Sequence, residues 1–293
     1  MTKIWNVIKK KSFKIVAASL ALVLCVTGVV WHLATPASAA ELNIGNANVQ
    51  TFAGARITDD GKLEGTGDTP ATMSVFITSR SPETKYQATN AKWEHNGVSW
   101  VSETNVLYEG TGSTQQIYAC APYTADADDG VITVNASEQI DWLVATATNL
   151  TSSDVNLTMT HAMAKLVLKP TFGTEVENTG IAKIEVGGMY ASGNLSITDN
   201  SWINLSEANT TLVMEHNELL VIPIAGCTSF PVTITMEDDR TFKTTVSLAT
   251  VDNQLEAGVQ YNIALQVGQD KVTIGDITAE PWIPSTGGVL ETE

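Results

Sequence analysis

The chain offers few side chains suited to catalysis, and histidine is the first type to consider. Three histidines lie after the first 39 residues: His95, His161 and His216. None has the spacing from another histidine that a zinc site requires, and the sequence contains no C-x-x-C or H-E-x-x-H motif. His161 lies in an alternating apolar run, where it could act as a general base or be a hydrogen-bonded core residue. The histidines therefore predict no metal site.

Two acidic clusters also lack the residue patterns of a calcium site and of a glycosidase active site. The run from Asp126 to Gly130 resembles a calcium loop, but aligning Gly130 with the loop's glycine places alanine at three ligand positions. Asp238 and Asp239 stand beside Arg240 in a predicted hairpin turn, without the fixed opposing geometry of glycoside hydrolysis. A nucleophile elbow and a glycine-rich phosphate loop are both absent from the sequence. We therefore predict no enzyme and no cofactor.

The first 39 residues have the organisation of a signal peptide. A lysine-rich start precedes an uncharged apolar run, Ile15 to Val30, and the small residues Ala37 and Ala39 suit signal peptidase. An uncleaved anchor is the alternative, although the run is shorter than the ~20 residues that span a bilayer. Cys25 lies in this run behind a leucine, whereas a lipobox has a small residue there. We expect the chain to be exported and the mature protein to begin at Ala40. Because the sequence has no convincing lipobox, we expect an export route other than that of a lipoprotein.

The mature chain is strongly acidic. Loss of the five leader lysines leaves 11 basic residues against 32 acidic ones, a formal net charge of −21. Such a surface repels phosphate backbones, so nucleic acid is excluded as a partner. Cys120 and Cys227 are the cysteines that remain. An exported protein could pair them or keep them as buried free thiols.

The elements that position these residues are predicted to be strands. In the run from Asp154 to Leu168, apolar side chains recur at every second position up to Met163, as in a half-buried strand. The alternation then changes parity, which predicts a bulge or a crossing between two sheets near Ala164 and Lys165. Similar short runs, separated by Gly, Asn, Asp and Pro, predict an all-β fold. These runs are Thr72–Thr78, Gln115–Tyr123, Gly130–Asn135, Asp141–Thr148, Ile181–Val186, Thr210–Glu215, Glu218–Ile224, Pro231–Glu237, Thr241–Leu248, Val259–Val267 and Lys271–Thr278.

One hairpin brings two tryptophans onto neighbouring strands. Trp93 and Trp100 flank Asn96-Gly97, a pair suited to a type I′ turn. The two rings could pack on the core, or they could form a stacking platform for a sugar. A secreted or surface glycan-binding module is therefore an alternative function.

Several segments together resemble the fimbrillin-like proteins of Bacteroidetes. The resemblance includes DWLVATATNL followed by a V-x-L-x-M-x-H-A-M-A-K-L strand. It extends to KWEHNGVSWVSE with QQIYACAPY, to LEAGVQYNIALQV, and to ITAEPW at the end. The resemblance implies two Greek-key, transthyretin-like β-sandwich domains in tandem. With Pro170 and Gly173 opening a new series of strands, the domains are predicted at 40–158 and 159–293, the second including a C-terminal strand and tail.

The resemblance also implies a mode of assembly. Fimbrillins polymerise by strand exchange, and in several of them cleavage at an arginine near the N-terminus removes a strand and opens the groove that the next subunit fills. Arg56 is the candidate here, because it is the first arginine and follows the strand-like segment Asn48–Phe52; an ordinary solvated arginine is the alternative. The candidate donor strand carries Val272 and Ile274 on one face, and Trp282 would close the junction between subunits.

The sequence is compatible with three functions. The first is a structural and adhesive subunit of fimbriae at the cell surface or outer membrane, assembled with other subunits as a homo- or heteropolymer. A ligand on host or bacterial surfaces would then be a further partner. The second is the glycan-binding module that does not polymerise. The third is an exported hydrolase, which no set of catalytic residues in the sequence supports.

Overall fold

The computed structural model describes residues 40–49, 63, 65–66, 69–127, 129–174 and 180–282. Within these ranges, runs rich in Val, Ile and Thr form strands, and no α-helix occurs. Two short 3₁₀ helices lie at Thr84–Tyr86 and Ala136–Glu138. No helix in this described part of the chain has the length and apolar character to cross a membrane. The all-β class is therefore confirmed.

The strands up to the middle of the chain are numbered in order. They are β1 (Asn43–Val49), β2 (Gly65–Thr66), β3 (Thr69–Pro70), β4 (Thr72–Thr78), β5 (Ala88–His95), β6 (Trp100–Ser102), β7 (Gln116–Ala121), β8 (Val131–Asn135), β9 (Leu143–Asn149) and β10 (Asp154–His161).

The later strands continue the numbering. They are β11 (Ala164–Phe172), β12 (Ile181–Tyr190), β13 (Ser192–Ser196), β14 (Ser201–Ile203), β15 (Ala208–Met214), β16 (Glu218–Val221), β17 (Ser229–Met236), β18 (Thr241–Ser247), β19 (Val259–Val267) and β20 (Val272–Pro281).

The larger sheets place strands side by side that are distant in the chain. A seven-stranded sheet has the order β1-β10-β9-β7-β4-β5-β6. Two four-stranded sheets, β16-β11-β19-β20 and β15-β12-β17-β18, contact each other through β15 with β16 and through β18 with β20. A three-stranded sheet, β14-β13-β8, joins an early strand to two later ones. Residues from Glu41 onward form one compact unit, and the division into domains at 158/159 remains a prediction.

The run from Asp154 to Leu168 forms parts of two strands, and they are separated where the apolar alternation changes parity. β10 buries Leu157, Met159 and His161, while Thr158 on the opposite face is exposed. The chain then leaves the seven-stranded sheet, and β11 begins at Ala164 in a different sheet. The predicted change of sheet is thus correct, and it lies between His161 and Ala164.

The tryptophan hairpin forms with a longer turn than predicted. His95 pairs with Trp100, so four residues close the loop, and Gly97 has a φ of +93°. The Asn96 side chain accepts hydrogen bonds from the Val98 and Ser99 amides, which stabilises this loop in place of a type I′ turn.

Candidate functional site

The candidate site consists of β1 and β20, the first and last strands that the structure describes. Gly45 is an extra residue in β1, because Ile44 pairs with Val155 and Asn46 with Asn156. This bulge changes the parity of the strand. The buried side chains of β1 are therefore Ile44 on one side of the bulge, and Ala47 and Val49 on the other.

β1 runs parallel to β10 and lies far from it in sequence. The pairing extends from Asn43 with Asp154 to Val49 with Met159. On its other side, the Leu63 amide donates to the Ala47 carbonyl over 2.9 Å. Because the chain between Val49 and Leu63 is the only covalent link from β1 to the later strands, a cut there leaves β1 held by noncovalent contacts alone.

The predicted processing residues lie in or before that link. Arg56 falls between Val49 and Leu63 in sequence, outside the residues that the structure describes. Ala37 and Ala39 of the predicted signal cleavage site also lie outside them. What the structure adds is that a cut after Arg56 would separate β1, and no other described strand, from the rest of the chain.

β10 depends on β1 for most of its backbone pairing. In the described part of the chain, residues 154–159 pair with β1, whereas only Thr160 and His161 pair with β9. Without β1, the N–H and C=O groups of residues 154–159 would lose their strand partner. Two of the side chains on this segment, Leu157 and Met159, are buried and apolar. An unpaired strand edge with buried apolar side chains can accept an added strand.

The second end of the chain is β20, which carries the candidate donor residues. β20 forms an edge of its sheet and pairs with β19, with Val272 opposite Val267 and Ile274 opposite Leu265. Val272 and Ile274 are half-buried against the core, and Thr273 between them is exposed. The predicted alternation is present. In this structure its apolar side chains pack against the core of their own subunit, and β20 pairs with β19 of the same chain.

Trp282 follows β20 and lies in the interior of its own subunit. Its indole stacks on the His161 imidazole, with 3.8 Å between ring centroids and 15° between planes, and it is 2% exposed. The Lys165 ammonium lies 5.5 Å from the same ring centroid. His161 Nδ1 is 2.6 Å from Asp141 Oδ1, so the histidine is a hydrogen-bonded core residue.

A cavity of about 220 Å³ adjoins Trp282. Its charged groups already have partners within the chain, since Asp141 bonds His161 and Lys165 forms a 2.7 Å ion pair with Glu218. No group of three or more metal-ligating side chains occurs among the described residues. Local sequence patterns did not indicate that Asp141, Lys165 and Trp282 would meet, because they lie on separate segments.

The other residues considered from sequence are structural. Trp93 and Trp100 are 5% and 4% exposed, so neither ring presents a face to a sugar, and the stacking-platform hypothesis is wrong for this pair. Cys120 and Cys227 are free thiols and do not form a disulfide. Burial raises the pKa of the Cys120 thiol to about 12, which keeps it protonated and unreactive.

Comparisons with known proteins agree with this architecture. The family model described as fimbrillin-like matches residues 56–282. No curated protein matches the chain. A Bacteroides uniformis structure assigned to cell adhesion has a TM-score of 0.63 at 15% identity and covers 81% of this chain and 98% of its own. A Bacteroides ovatus structure with the same assignment has a TM-score of 0.62 at 14% identity, covering 85% of this chain and 99% of its own.

A third structure is a fimbrial assembly protein from Parabacteroides distasonis. Its TM-score is 0.50 at 11% identity, and the match covers 83% of this chain and 100% of that one. At these identities the structures show a shared fold, whereas the family match extends over most of the chain. The chain belongs to the fimbrillin-like family.

Proposed function

We propose that this protein is a fimbrial subunit that polymerises at the outer membrane surface by strand exchange. Cleavage after Arg56 releases β1, and a donor strand that includes Val272 and Ile274 from a neighbouring subunit takes its place beside β10. Membership of the fimbrillin-like family makes the chain a cell-surface fimbrial protein that assembles with other subunits, and not an enzyme. Strand exchange is the part that we add.

One observation carries the proposal: residues 154–159 of β10 pair with β1 alone in the described structure. A donor strand with apolar side chains on one face would restore these backbone hydrogen bonds and cover Leu157 and Met159. The alternation at Val272, Thr273 and Ile274 has this pattern. In the exchanged state β20 would leave β19, and Trp282 would pack at the junction between subunits.

The test is cleavage with an arginine-specific protease followed by native gel electrophoresis. The chain has three arginines, so the background variant Arg80→Lys/Arg240→Lys leaves Arg56 as the only target. Cleavage should convert the monomer into a ladder of oligomers. Arg56→Lys in the same background should stay monomeric, because it keeps the charge and resists the protease.

A second variant tests the donor strand. Removal of residues 270–293 from the cleavable protein should abolish the ladder. A protein that is cut after Arg56, retains its C-terminus and remains strictly monomeric would favour the non-polymerising surface module instead.

Export has its own test. N-terminal sequencing of the envelope form before arginine cleavage should begin near Ala40, because Ala37 and Ala39 fit signal peptidase. A chain that begins at Met1, or one that carries lipid on Cys25, would contradict this export route.

A further inference from the structure

We propose that the stack of Trp282 on His161 is a latch that couples the two ends of the subunit. While β1 lies on β10, the latch holds β20 in its own sheet, and loss of β1 loosens β20. The inference deepens the proposed function and rests on it for its biological purpose. It would explain how a subunit avoids releasing its donor strand before its own acceptor site is open.

The first step is that β1 fixes the position of β10. Six consecutive residues of β10, 154–159, have β1 as their strand partner in the described structure. The Asn43 side chain adds a 3.1 Å hydrogen bond to Asp154 at the start of the pair. Removal of β1 takes away these backbone bonds together with the apolar cover supplied by Ile44 and Val49. The strand pairing that remains to β10 is then that of its last two residues with β9.

The second step is that β10 ends at the latch. His161 is the last residue of β10, and its ring covers one face of the Trp282 indole at 3.8 Å. Asp141 fixes the orientation of the imidazole through its 2.6 Å contact with Nδ1. His161 lies two residues beyond Met159, the last residue that β1 pairs, so a shift of residues 154–159 that extends to the end of β10 moves the ring against which Trp282 packs.

The third step is that Trp282 is the one fully buried side chain that holds this end of the chain. Among residues 272–282, all of which are described, Trp282 alone is buried. Val272, Ile274 and Ile277 are half-buried, and the remaining side chains are exposed. β20 is also an edge strand with β19 as its hydrogen-bonded neighbour. Loss of the packing around Trp282 thus leaves β20 held by its ladder with β19, its contact with β18 and three partly buried side chains, with no fully buried side chain of its own.

Coupling of this kind must be reciprocal. If loss of β1 favours release of β20 by some factor, release of Trp282 must favour detachment of β1 by the same factor, because both describe one thermodynamic cycle. Couplings between sites are typically about 5- to 150-fold in an equilibrium constant. We expect an effect of roughly 10-fold in each direction.

The experiment measures hydrogen exchange on the uncleaved, monomeric mature protein. Ile44→Asp places a charge at a fully buried position of β1, and Asn48→Asp on the exposed face of the same strand is its control. In Ile44→Asp, exchange of the β20 amides should accelerate about 10-fold while the amides of β12 and β17 keep their protection. Asn48→Asp should leave β20 unchanged.

The reverse direction uses Trp282→Leu, with Phe230→Leu as a control that truncates an equally buried ring on β17. Trp282→Leu should accelerate exchange in β1 and in residues 154–159 by the same factor, and Phe230→Leu should not. Unchanged β20 protection in Ile44→Asp would overturn the latch, as would equal acceleration of β12, β17 and β20. Because no polymer forms in this assay, failure of strand exchange would leave these results as they are.

Discussion

Met159 provides the sharpest test of how β10 is built into the fold. Its side chain is fully buried on β10 opposite Val49, whereas Thr158 beside it is exposed. Met159→Asp loses about 1.5–3 kcal/mol of apolar burial. Keeping the new carboxyl neutral at pH 7 costs about 4 kcal/mol more, because an aspartate with an ordinary pKa of about 3.9 must hold its proton at about 1.36 kcal/mol per pH unit.

The expected loss of about 6 kcal/mol is comparable with the whole stability of many domains, about 5–15 kcal/mol. Thr158→Asp should change stability by less than about 1 kcal/mol, because its carboxylate remains in water. Urea denaturation followed by tryptophan fluorescence measures both variants. Equal midpoints at pH 7 would refute the assignment of the buried face.

The pH dependence of Met159→Asp gives a second, independent readout. Burial raises the pKa of the new carboxyl in the folded state, so the folded state binds a proton that the unfolded state releases. The free energy of unfolding of Met159→Asp relative to the parent should therefore rise as pH falls from 7 toward 4. A difference that does not change over this range would contradict burial of the carboxyl.

Three further predictions concern local packing and thiol chemistry. Gly130 and Gly112 both have positive φ, but a Cβ on Gly130 would lie 2.8 Å from the Tyr118 ring while one on Gly112 meets nothing within 4 Å. Urea denaturation should show that Gly112→Ala lowers the free energy of unfolding by about 1–2 kcal/mol. Gly130→Ala should lower it by about 1–3 kcal/mol more. A thiol reagent at pH 8, followed by peptide mass spectrometry, should modify half-buried Cys227 before Cys120, whose thiol has a pKa of about 12. Since the folded state keeps the Cys120 proton above the ordinary thiol pKa of about 8.5, alkaline pH above that value should destabilise the fold.

Much of the fold was predictable where one face of a strand is apolar. β4 and β19 have the bounds predicted from their patterns, Thr72–Thr78 and Val259–Val267. Alternation also identified the buried face of β10 and the change of sheet after it. These features are local, because every second side chain of such a strand must leave water.

Features that depend on distant contacts were not predictable. β13, Ser192–Ser196, consists mostly of small and polar residues and is a strand because it pairs with β8 and β14. β1 was predicted at Asn48–Phe52, but its bulge at Gly45 disguises the alternation from Asn43 to Val49. The stack of Trp282 on His161 joins positions more than a hundred residues apart, which no local pattern encodes.

Electron microscopy of cells with an antibody against this chain tests the central claim most directly. Cells that carry the gene should display fibres labelled along their length, and cells without the gene should lose the labelled fibres. Cells that carry Arg56→Lys should export the protein without forming fibres, because β1 stays covalently attached. Fibres that are equally abundant and labelled with Arg56→Lys would contradict assembly by cleavage and strand exchange at this site.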